Sequence, residues 1–277
     1  MAGRAFVKMT GSGNDFVFFD TRREPAGTLA TTGRIRAICA RGTGVGADGV
    51  VFIGTAPDGS SADAELRYLN ADGSVAGLCG NATLCAVRFL SEESGPRELS
   101  ILTGAGIVRG RIRDGVPEID LDPAGSVTAD LSMDVPRTRG ERALGFALVG
   151  NPHLVVLVDD VETVDVAGRG AALRHHPALG PAGANVNFVA PGNGSWVIRT
   201  FERGVEGETL ACGTGVVAAA NLVRAWEAAG DPGSVAFRTR SGSVLRVRLE
   251  GGEPSVAPRP SLSGEGRVVF RGVLEGT

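Results

Sequence analysis

The sequence predicts an α+β protein of two pseudo-symmetric domains, each a mostly antiparallel sheet wrapped around a central helix. Three observations lead there. A cysteine followed by glycine opens a strongly apolar stretch twice, at Leu78-Cys79-Gly80-Asn81-Ala82-Thr83-Leu84-Cys85 and at Leu210-Ala211-Cys212-Gly213-Thr214-Gly215-Val216-Val217. Other landmarks recur in the same order at a nearly constant separation. Between them lie short β-branched or alternating segments bounded by Gly, Asp or Ser, which read as strands.

Length and composition set the class. A chain of 277 residues suggests about two domains, each large enough for its own core. With 43% apolar residues, 21% charged residues and a net charge of -3, nothing points to a nucleic-acid or membrane partner. The stretch from Met1 to Thr10 lacks the continuous apolar core of a signal peptide, and no uncharged run approaches the length of a membrane span. Four cysteines do not suggest a disulfide scaffold, and with three histidines and no paired CxxC no metal is expected. These readings place the protein in the cytoplasm with reduced thiols.

The repeat can be followed along the chain. Gly13-Asn14-Asp15-Phe16, before an apolar run, is echoed 137 residues later by Gly150-Asn151-Pro152-His153. Gly46-Ala47-Asp48-Gly49-Val50 is echoed at the same spacing by Gly183-Ala184-Asn185-Val186-Asn187. The two cysteines lie 133 residues apart, and the turns at Gly106 and Gly242 lie 136 apart. A period this long means a duplicated domain, not a solenoid. Strands are predicted at 16–19, 50–53, 65–69, 98–102 and 107–112, with counterparts at 154–158, 186–189, 196–201, 235–238 and 244–249. Helices are predicted at 31–41, behind each of the two cysteines, and weakly at 166–175. Residues 216–223 are apolar on nearly all sides, which marks a helix buried all round. Both cysteine-led helices meet stop signals, at Gly95-Pro96 and at Gly230-Asp231-Pro232. The first domain is expected to span 1–122 with the last strand, about 267–277, and the second 123–266, the last strand following a Pro/Ser/Gly-rich stretch at 254–266.

Gly44-Val45-Gly46-Ala47-Asp48-Gly49 matches the dinucleotide fingerprint, but it follows a predicted helix and opens a strand. That context is inverted, so no nucleotide is expected. The cysteines carry more. A thiol at a helix N-terminus feels the positive end of the macrodipole, which favours thiolate. Cys39 and Cys85, inside helical stretches, read as small buried hydrophobes. Cys79 and Cys212 differ because each echoes the other, and the N–H groups of two helix starts offer an anion site. They are also too far apart in sequence for a C-x-x-C redox pair. Asn14, Asn70, Asn151 and Asn185 stand in turns at strand ends, with Glu202-Arg203 the echo of Asn70. Singly each suits turn chemistry; as an aligned set they suggest a polar pocket for a zwitterion, with an arginine to hold a carboxylate.

Seven segments, Thr10–Phe16, Asn70–Ser74, Cys79–Asn81, Gly150–His153, Asn185–Phe188, Glu202–Gly204 and Ala211–Gly215, resemble the motifs of diaminopimelate epimerases. The similarity runs from about residue 5 to about residue 250. It implies an isomerase that needs no cofactor, pyridoxal phosphate included, with two α+β domains that close over the substrate. The implied reaction interconverts LL- and meso-2,6-diaminopimelate in lysine and peptidoglycan biosynthesis; a relative acting on histidine or lysine is the alternative. The resemblance makes Cys79 and Cys212 the acid–base pair, and Gly80, Asn81, Gly213 and Thr214 donors to the carboxylate at the reacting carbon. Asn14 and Glu202 would touch the reacting end; Asn70, Asn151, Asn185 and Arg203 would read the distal amino acid centre; His153 and Glu202 would tune the thiols. A homodimer is implied as well. The chain departs from the usual family pattern at Ala82 and Leu84, in one extra residue within Gly204–Leu210, and in its tail at 262–266.

Overall fold

The computed structural model describes residues 3–95, 98–226, 233–250 and 259–275. Two units divide the chain: Met1–Asp120 with Ser263–Thr277, and Leu121–Leu262.

In the first unit, β1 (Arg4–Gly11) and β2 (Asn14–Asp20) form a hairpin. Its two-residue turn, Ser12-Gly13, has φ of 53° and 103°, the pair of positive values whose twist suits a tight hairpin. Helix α1 (Thr32–Cys39) crosses over to β3 (Gly49–Gly54), parallel to β2. Next, β4 (Ala64–Asn70) runs back antiparallel and carries the short β5 (Val75–Ala76). After α2 (Gly80–Ser94), β6 (Leu99–Thr103) joins β4 in parallel, and β7 (Gly106–Arg113) and β8 (Val116–Asp120) continue antiparallel. The last strand of the chain, Arg267–Leu274, pairs with the free side of β1.

Strand β2 shows how the sequence produces this layering. Its side chains alternate in direction with period 2, yet Phe16, Val17, Phe18 and Phe19 are all buried. Val17 and Phe19 pack with Ile35 and Ile38 of α1 and with Phe52 of β3. On the other face Phe18 lies 5.9 Å from Phe89 of α2 and Phe16 5.8 Å from Tyr68. A strand covered on both faces reads as a continuous apolar run. Truncating Phe18 to alanine would cost about 3–5 kcal/mol. The sheet curves round α2, which touches β1, β2, β4, β7, β8 and the last strand.

The second unit repeats the plan. It contains β9 (Ser126–Thr128), β10 (Glu141–Val149), β11 (Asn151–Val158), α3 (Val166–Arg174) and β12 (Asn185–Pro191). These are followed by β13 (Trp196–Glu202), β14 (Gly207–Thr209), α4 (Gly213–Trp226), β15 (Ser234–Arg238) and β16 (Val244–Glu250). The succession of pairings from β10 to β16 is antiparallel, parallel, antiparallel, antiparallel, parallel, antiparallel. It is the succession found from β1 to β7. Helix α3 covers one face through Leu173 and Val166, and α4 is enclosed by the other, with Val216 to Ala220 fully buried. A further strand, β17 (Arg259–Ser263), precedes the last one, β18.

The structure corrects the repeat in one place. Phe16 pairs with Gly49, whereas His153 pairs with Asn185. Asn185 is therefore level with Gly49, not with Asp48, and the β3/β12 offset is 136. Phe52 and Phe188 then coincide, both buried on the α1 or α3 side. The predicted helix at 31–41 ends at Cys39, because Ala40 is extended with ψ 119°. Strands β1, β5, β8, β9, β10, β14 and β17 are absent from the sequence-based prediction. In β1 and β10 the buried charges Lys8 and Glu141 break the apolar alternation that identifies a strand. Helix α2 ends at Gly95, φ 77°; the stop signals at Pro96 and Gly230-Asp231-Pro232, and residues 254–258 of the Pro/Ser/Gly-rich stretch, lie outside the described residues.

Candidate functional site

Each candidate cysteine is built into the start of a helix. Cys79 has extended backbone angles, φ -130° and ψ 111°, and precedes α2 as its N-cap. Its carbonyl accepts the first intrahelical bond from the Thr83 N–H at 2.9 Å, and the Cys212 carbonyl accepts the same bond from Val216 at 3.0 Å. The N–H groups of Gly80, Asn81, Gly213 and Thr214 thus lie in first turns, where no intrahelical acceptor exists. Both cysteines are half-buried thiols. The Thr214 hydroxyl lies 3.6 Å from Cys212 Sγ. Helix burial orients these starts: α4 cannot rotate without moving the alanines at 218–220 into side chains of its own sheet.

In the first unit, hydrogen-bond direction fixes the amides. The Asp48 carboxylate can only accept, so Asn14 presents Nδ2 to its Oδ2 at 3.0 Å. Asn14 Oδ1 then accepts from Asn81 Nδ2 at 2.7 Å. This leaves Asn81 Oδ1 buried without a partner among the described residues, an acceptor at the first turn of α2. Asp48 is held in turn. Arg41 bridges it and Asp15, at 2.8 and 2.7 Å, and Lys8 pairs with Asp15 at 2.6 Å. Burial pushes the Asp15 carboxyl up, but hydrogen bonds from Arg41 and Lys8 win and hold it below the usual carboxylate range. Asn70 is placed differently. Its Nδ2 donates to Ser74 Oγ within its own turn, at 2.9 Å.

The second unit gathers four predicted residues at one end of its sheet. Arg203 Nη2 donates to Asn151 Oδ1 at 2.7 Å, and the Arg203 N–H donates to Asn185 Oδ1 at 2.8 Å. Glu202 is the last residue of β13, beside them. His153 is fully buried, and its pKa is pushed down to about 3 by burial, with the nearby Arg203 charge adding to the effect. It is a neutral imidazole.

Sequence reasoning missed Asn187, which lies inside a recognised motif. It is fully buried, touches His153, and its Oδ1 stands 2.4 Å from where a Cβ on Gly215 would lie. The signal was available in Gly215, a helix-interior glycine where the first helix has Ala82. Cys39 and Cys85 are buried and desolvation raises both thiols, Cys39 to about 11. Ala82 and Leu84 are core residues of α2 with no exposed surface. Among the described residues no cluster of His, Cys, Asp or Glu could hold a metal ion, and no helix is long and apolar enough to cross a membrane.

Comparison with known proteins gives a consistent picture. The family model described as diaminopimelate epimerase matches residues 6–124 and 145–256. A diaminopimelate epimerase of Gemmatimonas aurantiaca is 50% identical over 98% of this chain and 99% of its own length. One from Aquifex aeolicus is 39% identical over 87% of this chain and 88% of its own. Among solved structures, a Bacillus anthracis phenazine biosynthesis protein of the PhzF family has a TM-score of 0.75 at 15% identity, covering 99% of both chains. A hydroxyproline epimerase from Agrobacterium vitis has a TM-score of 0.67 at 19% identity, over 98% of this chain and 92% of its own. At such identities these two establish the fold alone, an α+β architecture of two similar halves.

Proposed function

The chain belongs to the diaminopimelate epimerase family and is an isomerase, and from that premise we propose that it interconverts LL- and meso-2,6-diaminopimelate by proton transfer between Cys79 and Cys212. The observation that carries this reading is the matched pair of N-capping cysteines on equivalent buried helices. One thiolate removes the α-proton and becomes a thiol. The other thiol gives its proton to the opposite face of the planar carbanion and becomes the thiolate. Inversion needs two groups because the returning proton must arrive from the side the first did not leave.

Chain residues stabilise the carbanion without a cofactor in this reading. First-turn N–H groups at Gly80, Asn81, Gly213 and Thr214 take the carboxylate of the reacting centre, where negative charge develops. Asn81 Oδ1, oriented through Asn14 and Asp48, suits the ammonium group as an acceptor, and Glu202 adds negative charge. Asn70, Asn151, Asn185 and Arg203 read the distal amino acid centre, the guanidinium taking its carboxylate. The product serves lysine and peptidoglycan synthesis in the cytoplasm, and the enzyme acts as a homodimer.

Heavy water tests the mechanism. Both sulfurs exchange with solvent, so the thiol carries deuterium while its partner is a thiolate. Early product is expected to carry deuterium at the inverted carbon while recovered substrate stays largely unlabelled. Cys79→Ala and Cys212→Ala are each expected to lose epimerisation, since one face loses its proton carrier. Full epimerase activity in either variant would rule the mechanism out. Turnover of diaminopimelate beside histidine and lysine tests the substrate.

A further inference from the structure

The two units differ in the strand residues packed beneath their cysteine-led helices. By strand register, Phe16, Val51 and Tyr68 of the first unit correspond to His153, Asn187 and Thr200 of the second. All three residues of the second set are at most 3% exposed. The helix facing them carries Ala82 in the first unit and Gly215 in the second. Burying an imidazole, an amide and a hydroxyl where the first unit places Phe16, Val51 and Tyr68 costs stability unless every group is satisfied. His153 Nε2 has no partner among the described residues. The trio therefore serves something other than packing.

Hydrogen-bond direction settles its protonation. The Leu154 carbonyl can only accept, and it takes a bond from Asn187 Nδ2 at 3.1 Å. Asn187 Oδ1 accepts from the Thr200 hydroxyl at 3.0 Å. Turning the amide over would set two carbonyl oxygens against each other, so the orientation is fixed. The second hydrogen of Asn187 Nδ2 then points to His153 Nδ1, 3.3 Å away. Nδ1 must be the acceptor, and the one ring proton of a neutral imidazole belongs on Nε2. Gly215 completes the arrangement, since a Cβ there would meet Asn187 Oδ1 at 2.4 Å and displace the amide.

We infer that Asn187 and Thr200 are positioning residues that lock His153 in its Nε2–H form, so that His153 meets the reacting anion, carboxylate or thiolate, as a neutral hydrogen-bond donor and not as a base. Its buried imidazole, with Arg203 nearby, resists protonation, which agrees with the geometry. A donor held this way cannot remove a proton through Nε2, and the acid–base work stays with the thiols. The assignment of His153 to the reaction rests on the function proposed above; its tautomer does not.

The test uses nitrogen-15 NMR of the full-length protein labelled at histidine, with His153 assigned by loss of its signals in His153→Gln. The wild type is expected to show Nε2 protonated and Nδ1 unprotonated at pH 7, unchanged at pH 5. A carboxylate cannot donate, so Asn187→Asp is expected to move the proton to Nδ1 and lower kcat about tenfold or more. Should Asn187→Asp fail to fold, Asn187→Leu, similar in shape but unable to donate to Nδ1, is expected to show both tautomers. An Nδ1–H or doubly protonated ring in the wild type overturns the inference, as does an unchanged Nε2–H tautomer in the variant that folds. Lack of turnover of diaminopimelate by the wild type would instead refute the proposed function and leave the tautomer standing.

Discussion

At the scale of single residues, His153 also couples folding to pH. Its pKa is about 3 in the folded chain and near 6.5 when unfolded. Between those values the unfolded chain binds a proton that the folded chain does not. Its stabilising effect is whole above pH 6.5 and is lost as pH falls toward 3, by about 3 kcal/mol at pH 4. Urea unfolding followed by fluorescence should give a lower midpoint at pH 4 than at pH 7, and His153→Gln should flatten that dependence. A slope identical in the two proteins would mean that His153 is accessible to protons in the folded state. The cysteines were legible in the sequence because their signal is local: a thiol, a glycine and an apolar helix. Asn187 was not, because its role depends on a strand partner, Thr200, and on a helix glycine, Gly215, that only folding brings to it.

Among the elements, the loop after β13 shows how an apparent irregularity can hold the arginine proposed to bind substrate. Within this segment Glu206 has φ 56°, a left-handed conformation that disfavours a side chain. Local strain persists only where contacts outweigh it. Here the Glu206 carboxylate accepts from the Gly204 N–H at 3.0 Å and pairs with Arg174 at 2.8 Å. Arg174 is the last residue of α3 and is buried, so the loop is tied to a helix end. Arg203 begins that loop, and Asn185 and Asn151 hold it from the strands. Glu206→Ala should loosen the arginine without touching the thiols. Steady-state kinetics with diaminopimelate should then show KM raised several-fold and kcat nearly unchanged, whereas Arg203→Lys, which loses bidentate geometry, should reduce turnover sharply. An unchanged KM in Glu206→Ala would separate the loop from substrate binding.

For the molecule as a whole, duplication explains both what the sequence revealed and what it hid. The repeat was visible because turns need glycine and asparagine at fixed places, and these survive as landmarks such as Gly13-Asn14 and Gly150-Asn151. Its register was misread by one residue at Asp48, since a parallel pairing cannot be counted from turn residues alone. The opening strands of the two repeats, β1 and β10, were hardest to see, whereas the last strand was expected at about 267–277. Among the described pairings β18 joins β1 alone, and it leaves Val269, Phe270 and Val273 47%, 47% and 55% exposed. Apolar side chains on an edge strand invite pairing with another chain unless charge or a cover prevents it. The homodimer proposed above gives this strand a partner. Wild-type protein is then expected to scatter light as a species of twice 28.4 kDa, and Phe270→Lys combined with Val273→Lys is expected to yield a folded monomer. A wild-type monomer at micromolar concentration would refute the dimer. A double variant that stays dimeric would move the interface away from β18.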